Sequence, residues 1–279
     1  VIALSPRGLG CIGERDDFKA GARSHLDAAE ILGEDPVARE ATARELIRGV
    51  LNQGGLGSCV INALEQAIRG DVRRQTGKWA ELCARLFGYM SARLKHGDEN
   101  NDSGTYIETG VEQRAVLGAP PEHLWPYRPD ERVMRGGVLV PRWRARPSQE
   151  AFQAAIDTKT SRALAYRRIY GVDDERAEQV KRAIMRKRLV VFRTDVSEQF
   201  CMNDFDPKRP NPTPRAGDPS AGGHALVAAE YDDVGVKGPN SWDYDFGDKG
   251  WFYFTWEHIG GPLCGSFTII EQAPVPPGL

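Results

Sequence analysis

The sequence predicts an α+β fold built from two segregated halves. Apolar residues recur at helical spacing through the first half, and strand-like runs separated by turn residues fill the second. The two kinds of segment do not alternate, which argues against a parallel α/β sheet. The chain has 279 residues, 41% hydrophobic and 27% charged, enough for one large or two smaller globular domains with a sizeable core.

The first 30 residues are glycine-punctuated and read as loop. Residues 36–51 read as a helix, with Pro36 suited to a first turn. Three glycines between Gln53 and Gly57 then break the pattern. Ser58 is placed to cap a helix starting at Cys59, whose apolar face holds Val60, Ile61, Leu64, Ala67 and Ile68, and Gly70 is placed to end it. A second helix follows from Trp79, Leu82, Cys83, Leu86, Phe87 and Met90 on one face. Residues 106–117 form a third, ended by Gly118. Four prolines between 120 and 129 require an extended segment.

In the second half a helix at about 173–187 leads into the buried-strand pattern L-V-V-F-R-T. Residues 201–221 are rich in Pro, Gly and Asp and read as a loop. H-A-L-V-A-A-E-Y, G-W-F-Y-F-T-W and G-S-F-T-I-I-E read as strands. The expected organisation is an N-terminal extension (1–35), a helical half (36–130), a β-rich half (131–271) and a proline-rich tail (272–279).

The net charge of −2 gives no global pull toward nucleic acid or an anionic membrane. No apolar run reaches the roughly 18 residues of a membrane span, and the start V-I-A-L-S-P-R-G is not an intact signal peptide. The compartment stays open: cytoplasmic, virion-associated or secreted after processing. The five cysteines are widely spaced and suggest neither a dense disulfide framework nor a zinc cluster.

The chemistry centres on N-Q-G-G-L-G-S-C. A helical cysteine is ordinarily a small buried hydrophobe. At a helix N-terminus, however, unpaired N–H groups and the helix dipole favour thiolate, and the preceding glycines leave space around the sulfur of Cys59. His25, His96, His123 and His258 lie in ordinary polar surroundings and are expected at the surface. His224 differs, because it follows two glycines and opens a strand. Further along, Asn240-Ser241-Trp242 precedes G-D-K-G-W-F-Y-F. Each feature alone is weak. Gln53 and Cys59, then Gly223-His224, then Asn240 and Trp242, in that order, form a specific pattern.

At these residues the chain resembles the papain-like cysteine peptidases, the C1 family, over about residues 52–256. Q-G-G-L-G-S-C-V-I-N-A is similar to the family's nucleophile segment, G-G-H-A-L-V-A-A-E-Y to its histidine strand, and N-S-W-D-Y-D-F-G-D-K-G-W-F-Y-F to its asparagine turn. The resemblance implies a two-lobed fold, a helical half and a β-barrel-like half, with the cleft between them. It implies that Cys59 and His224 form a thiolate–imidazolium pair, that Asn240 orients the imidazole, and that the Gln53 amide and the Cys59 N–H stabilise an oxyanion. Gly57, Ser58, Gly223 and Trp242 are the expected substrate-contacting residues. The implied substrate is a polypeptide, with no metal, cofactor, nucleic acid or membrane.

The departures point to a divergent bacterial or viral branch. Leu56 and Val60 replace residues usual around the nucleophile, Cys59 and His224 are unusually far apart, and residues 1–50 show no typical inhibitory propeptide pattern. Those residues could block the cleft, pack behind it or bind a macromolecular partner. Two other functions fit the same pattern: hydrolysis of peptidoglycan peptides, and a non-catalytic structural or binding role.

Overall fold

The computed structural model describes residues 7–14, 26–34, 36–161, 164–215 and 217–272. Residues 1–6 and 15–25 of the N-terminal extension, with His25, and the tail beyond Gln272 lie outside them. Among the described residues the α-helices are α1 (Ala29–Leu32), α2 (Cys59–Thr76), α3 (Arg85–Lys95), α4 (Ile107–Leu117), α5 (Gln149–Ser161), α6 (Asp173–Met185), α7 (Glu198–Met202) and α8 (Trp256–Gly260). The strands are β1 (Leu26–Asp27), β2 (Ala41–Thr42), β3 (Arg132–Arg135), β4 (Val138–Pro141), β5 (Leu164–Arg168), β6 (Val190–Val196), β7 (Gly222–Ala228), β8 (Glu230–Tyr231), β9 (Gly235–Pro239), β10 (Trp251–Thr255) and β11 (Cys264–Gln272). No described helix is long and apolar enough to cross a membrane.

The strands form a five-stranded sheet in the order β1-β5-β11-β6-β7, a four-stranded sheet in the order β10-β9-β8-β2, and the β3-β4 hairpin. β1 runs parallel to β5, and the other pairings are antiparallel. Helices α2, α3 and α4 pack on one another, and α2 also packs on β7 and β11. The expected α+β separation is therefore present. Phe192 on β6 stacks on Phe267 of β11 and meets Phe252 of β10 edge-on, joining the two larger sheets in one core.

Helix α2 is the axis of the fold, and every residue from Cys59 to Val72 is buried. A helix covered on all sides must satisfy its polar residues internally. Glu65 pairs with Arg114, Gln66 donates to the Gly49 carbonyl, and Asn62 donates to the Ser58 carbonyl. The helix does not stop at the expected Gly70. It runs to Thr76 and ends on Gly77 at φ 70, whose N–H donates to the Arg73 carbonyl. Gly70 instead permits close packing, since a Cβ there would lie 2.3 Å from Leu189 Cδ1.

Other expectations change for tertiary reasons. Residues 36–51 hold no α-helix. Ala41–Thr42 pairs with β8, the Ala43 N–H donates to the Ala229 carbonyl, and a single 3₁₀ turn follows at Arg44–Leu46. Residues counted with the helical half thus join a sheet of the β-rich half. The second helix starts at Arg85 rather than near Trp79. Before it, Ala84 donates to the Pro120 carbonyl and Glu122 to the Leu82 carbonyl, so the chain is held extended against the proline segment. The segment 201–221 begins inside α7. Helix α5 and strands β3, β4, β5 and β9 had no clear sequence signal. The third helix and the 173–187 helix stand close to where their patterns place them.

Gly70→Ala should lower stability by about 1–3 kcal/mol, the usual range for overpacking a filled core. A denaturant midpoint equal to that of the parent chain would show that Leu189 yields freely.

Candidate active site

Cys59 is the first residue of α2, and its side chain is fully buried. The backbone N–H groups of Ala225, Gly10, Val60 and Cys59 itself favour the charged form of the sulfur. Ala225 is the residue after His224 on β7, so the packing of α2 against β7 sets the thiol beside the histidine strand.

His224 is also fully buried. Its Nε2–H donates to Asn240 Oδ1 at 2.7 Å, and that oxygen also accepts the Ser241 N–H at 2.7 Å, which fixes the amide orientation. This bond makes Nε2 the protonated nitrogen of the neutral ring, so Nδ1 carries a lone pair, and it has no hydrogen-bond partner among the described residues. Trp242 stacks on the imidazole with centroids 4.4 Å apart, and Phe200 and Phe246 pack around the indole.

The nucleophile loop is held from below. Gln53 Oε1 accepts the Ser241 hydroxyl, and Ser241 also accepts the Gln53 N–H at its carbonyl. Ser58 precedes the helix without capping it through its side chain; its hydroxyl bonds Tyr127 instead. Two supports had no sequence signal, because each works across a long chain separation. Asp102 accepts the Gly57 N–H at both carboxylate oxygens, 3.0 and 3.1 Å, and also accepts the Tyr89 hydroxyl. Arg85 donates to Asn62 Oδ1, the Asn52 carbonyl and Glu122.

Residues 7–14 lie across this site. The Arg7 guanidinium sits over the Trp242 and Phe246 rings. Gln53 Nε2 donates to the Gly8 carbonyl at 2.9 Å. The Cys11 N–H donates to the Gly223 carbonyl, the Thr105 N–H to the Gly10 carbonyl, and the Ile12 N–H to the Thr105 carbonyl. That bridge is parallel. The contact leaves no room for side chains. A Cβ on Gly10 would stand 2.0 Å from the Gly57 carbonyl oxygen, and one on Gly223 would stand 2.1 Å from that of Cys11. Residues 7–14 thus lie over Gln53, Gly57 and Gly223.

Burial opposes the expected charge separation. It drives the Cys59 thiol up to about 11, against the opposing N–H groups, and drives His224 down to about 4, against the opposing bond to Asn240. Burial in the covered site therefore favours the neutral thiol and the neutral imidazole. His258 is likewise not at the surface: it is buried, its Nε2 lies 2.7 Å from the Thr194 hydroxyl, and burial lowers it to about 4. Of the other expected site residues, Gly57 lies under Gly10, Gly223 accepts from Cys11, Trp242 covers His224, and Gln53 is engaged by Gly8.

No protein-family model matches the chain. A curated relative, an uncharacterized peptidase C1-like protein of Acanthamoeba polyphaga mimivirus, is 29% identical over 233 residues, covering 81% of this chain and 70% of its own length. Among solved structures, xylellain, a cysteine protease from Xylella fastidiosa, superposes with a TM-score of 0.78 at 24% identity, covering 98% of this chain and 99% of that one. A digestive procathepsin L 3 from Tenebrio molitor larval midgut superposes with a TM-score of 0.65 at 14% identity, covering 97% and 77%. The fold is papain-like. In sequence the chain is similar to a peptidase C1-like protein.

The buried histidines make stability depend on pH. The imidazole of the unfolded chain protonates near 6.5 and those of His224 and His258 in the folded chain near 4, so the unfolded chain binds more protons between those values. The stability from keeping them neutral is complete above about pH 6.5 and is lost as pH falls toward 4. Thermal unfolding midpoints should fall across that window. A His258→Gln chain should lose less than the parent; equal losses would remove His258 from the account.

Proposed function

We propose that the chain hydrolyses peptide bonds through Cys59 and His224, and that it is latent while residues 7–14 cover the cleft. One observation carries the reading. A cysteine at a helix head has its charged form favoured by the backbone N–H of the residue following a histidine whose ring is oriented by Asn240 and whose Nδ1 has no hydrogen-bond partner among the described residues.

With the segment displaced, water reaches both groups and the desolvation that keeps them neutral is relieved. Proton transfer from Cys59 to His224 then becomes favourable, since each charge stabilises the other. The thiolate attacks the peptide carbonyl. Negative charge gathering on its oxygen meets the Cys59 N–H and the Gln53 amide, the group that Gly8 engages in the covered state. His224 protonates the leaving amine and then activates water to release the acyl group. Asn240 and Trp242 keep the ring in place and shield it.

The seated segment occupies one donor of the proposed oxyanion site, since the Gln53 amide donates to the Gly8 carbonyl.

Two outcomes test the reading. Gly10→Ala cannot seat without moving the Gly57 backbone, so it should raise cleavage of an added unfolded protein and alkylation of Cys59 at pH 7. An increase of about tenfold or more corresponds to roughly 1.4 kcal/mol in the closed–open balance. Cys59→Ala in that background should keep the circular dichroism spectrum and lose all cleavage. Cleavage that survives in a folded Cys59→Ala chain would refute the nucleophile.

A further inference from the structure

The Gln53 side-chain amide carries two N–H groups, and its own loop uses one of them. One donates to the Leu56 carbonyl at 2.8 Å, and the other to the Gly8 carbonyl of the covering segment at 2.9 Å. Oε1 accepts the Ser241 hydroxyl, so the amide is held at both ends. When the segment leaves, the N–H that met Gly8 is the one released to an oxyanion. Its direction is then set by Ser241 and by the Leu56 carbonyl.

That carbonyl belongs to the same peptide unit as the Gly57 N–H. Asp102 accepts this N–H through both carboxylate oxygens, at 3.0 and 3.1 Å. A planar peptide cannot turn one of its groups without the other. A carboxylate on the N–H side therefore holds the carbonyl side as well. Its charge also polarises the unit, which makes the Leu56 oxygen a better acceptor for Gln53. The same oxygen accepts the Ser58 N–H at 2.8 Å, within the turn that leads to Cys59.

Asp102 is itself held in place. The buried Tyr89 donates its hydroxyl to the carboxylate and accepts the Gly104 N–H at 3.0 Å. Asp102 is exposed, so truncating it opens no cavity in the core. The Tyr89–Gly104 bond does not involve it, so the neighbouring main chain of Thr105, which pairs with Gly10 and Ile12, keeps that support without it.

We infer that Asp102 is a positioning residue: it holds the Leu56–Gly57 peptide so that the Leu56 carbonyl aims the Gln53 amide at the oxyanion. The inference rests on the proposed peptidase reading for its reaction, but the relay of hydrogen bonds can be measured without catalysis.

The first measurement needs no substrate. In the full-length chain carrying isotope-labelled glutamine, the side-chain amide signal that disappears in Gln53→Ala identifies Gln53. Its hydrogen exchange should be about tenfold faster in Asp102→Ala, the scale of losing a hydrogen bond to a charged group. Asp102→Asn has the same shape and keeps one acceptor oxygen, so its exchange should fall between the two. Exchange equal to the parent's in both variants would overturn the relay.

The second measurement is kinetic and uses the Gly10→Ala background. Removing an oxyanion donor outright costs roughly 100- to 1000-fold in kcat, and misaiming it should cost about tenfold or more of that. Asp102→Ala should therefore lower kcat on a peptide substrate while KM stays within about twofold. Alkylation of Cys59 by iodoacetamide forms a carbon–sulfur bond as iodide leaves and builds no oxyanion, so its rate should hold. In a Gln53→Ala chain the Asp102 change should have no further effect on kcat. An equal loss of kcat with and without Gln53, or a parallel loss of alkylation, would overturn the role and leave the peptidase reading standing. Faster Gln53 exchange in Asp102→Ala with no cleavage by any chain would support the relay and refute the peptidase reading.

Discussion

The packing of α2 on β7 is the contact on which the site depends. The helix is buried along its first fourteen residues and so has little freedom to slide or turn. Its first residue is Cys59, and the Ala225 N–H reaches the sulfur from the strand that carries His224. β7 is set in turn by β6, where Thr194 stands opposite His224. Core residues far from the chemistry, such as Phe192 against Phe267 and Phe252, therefore help decide where the imidazole sits.

Two effects oppose each other at this contact. The N–H groups at a helix head favour a thiolate, and a neighbouring imidazole would favour it further. Removal from water favours the thiol and the neutral ring. In the covered cleft desolvation wins at both groups. On the proposed reading, the segment that excludes the substrate also excludes the water that the charged pair needs, so latency has a steric and an electrostatic part that end with the same displacement.

The covering segment also shows why such a device is hard to read in advance. Beside Arg7, Glu14 and the apolar side chains of Leu9 and Cys11, its contacts are main-chain hydrogen bonds and bare glycine surfaces. Gly8 and Gly10 looked like ordinary loop glycines. Their use is close approach to the backbone of Leu56 and Gly57, and a sequence does not state which backbone a glycine will meet. Asp102 was equally silent, since its partners Gly57 and Tyr89 are brought to it only by the folded chain.

Sequence alone determined the fold class, the long helix beginning at Cys59, the strand opened by His224 and the turn holding Asn240. These depend on local periodicity, on turn residues and on the order of a few chemically distinctive side chains. The third helix was legible for the same reason, as Ile107–Leu117 carries its own stop at Gly118. The tertiary structure decided what depends on distant neighbours. It drew residues 41–42 into a sheet, carried α2 past Gly70, buried His258 and laid residues 7–14 over the sulfur. Above all it set how strongly burial opposes charge on the cysteine and histidine, because desolvation is set by what covers a group, and that cover comes from residues far away along the chain.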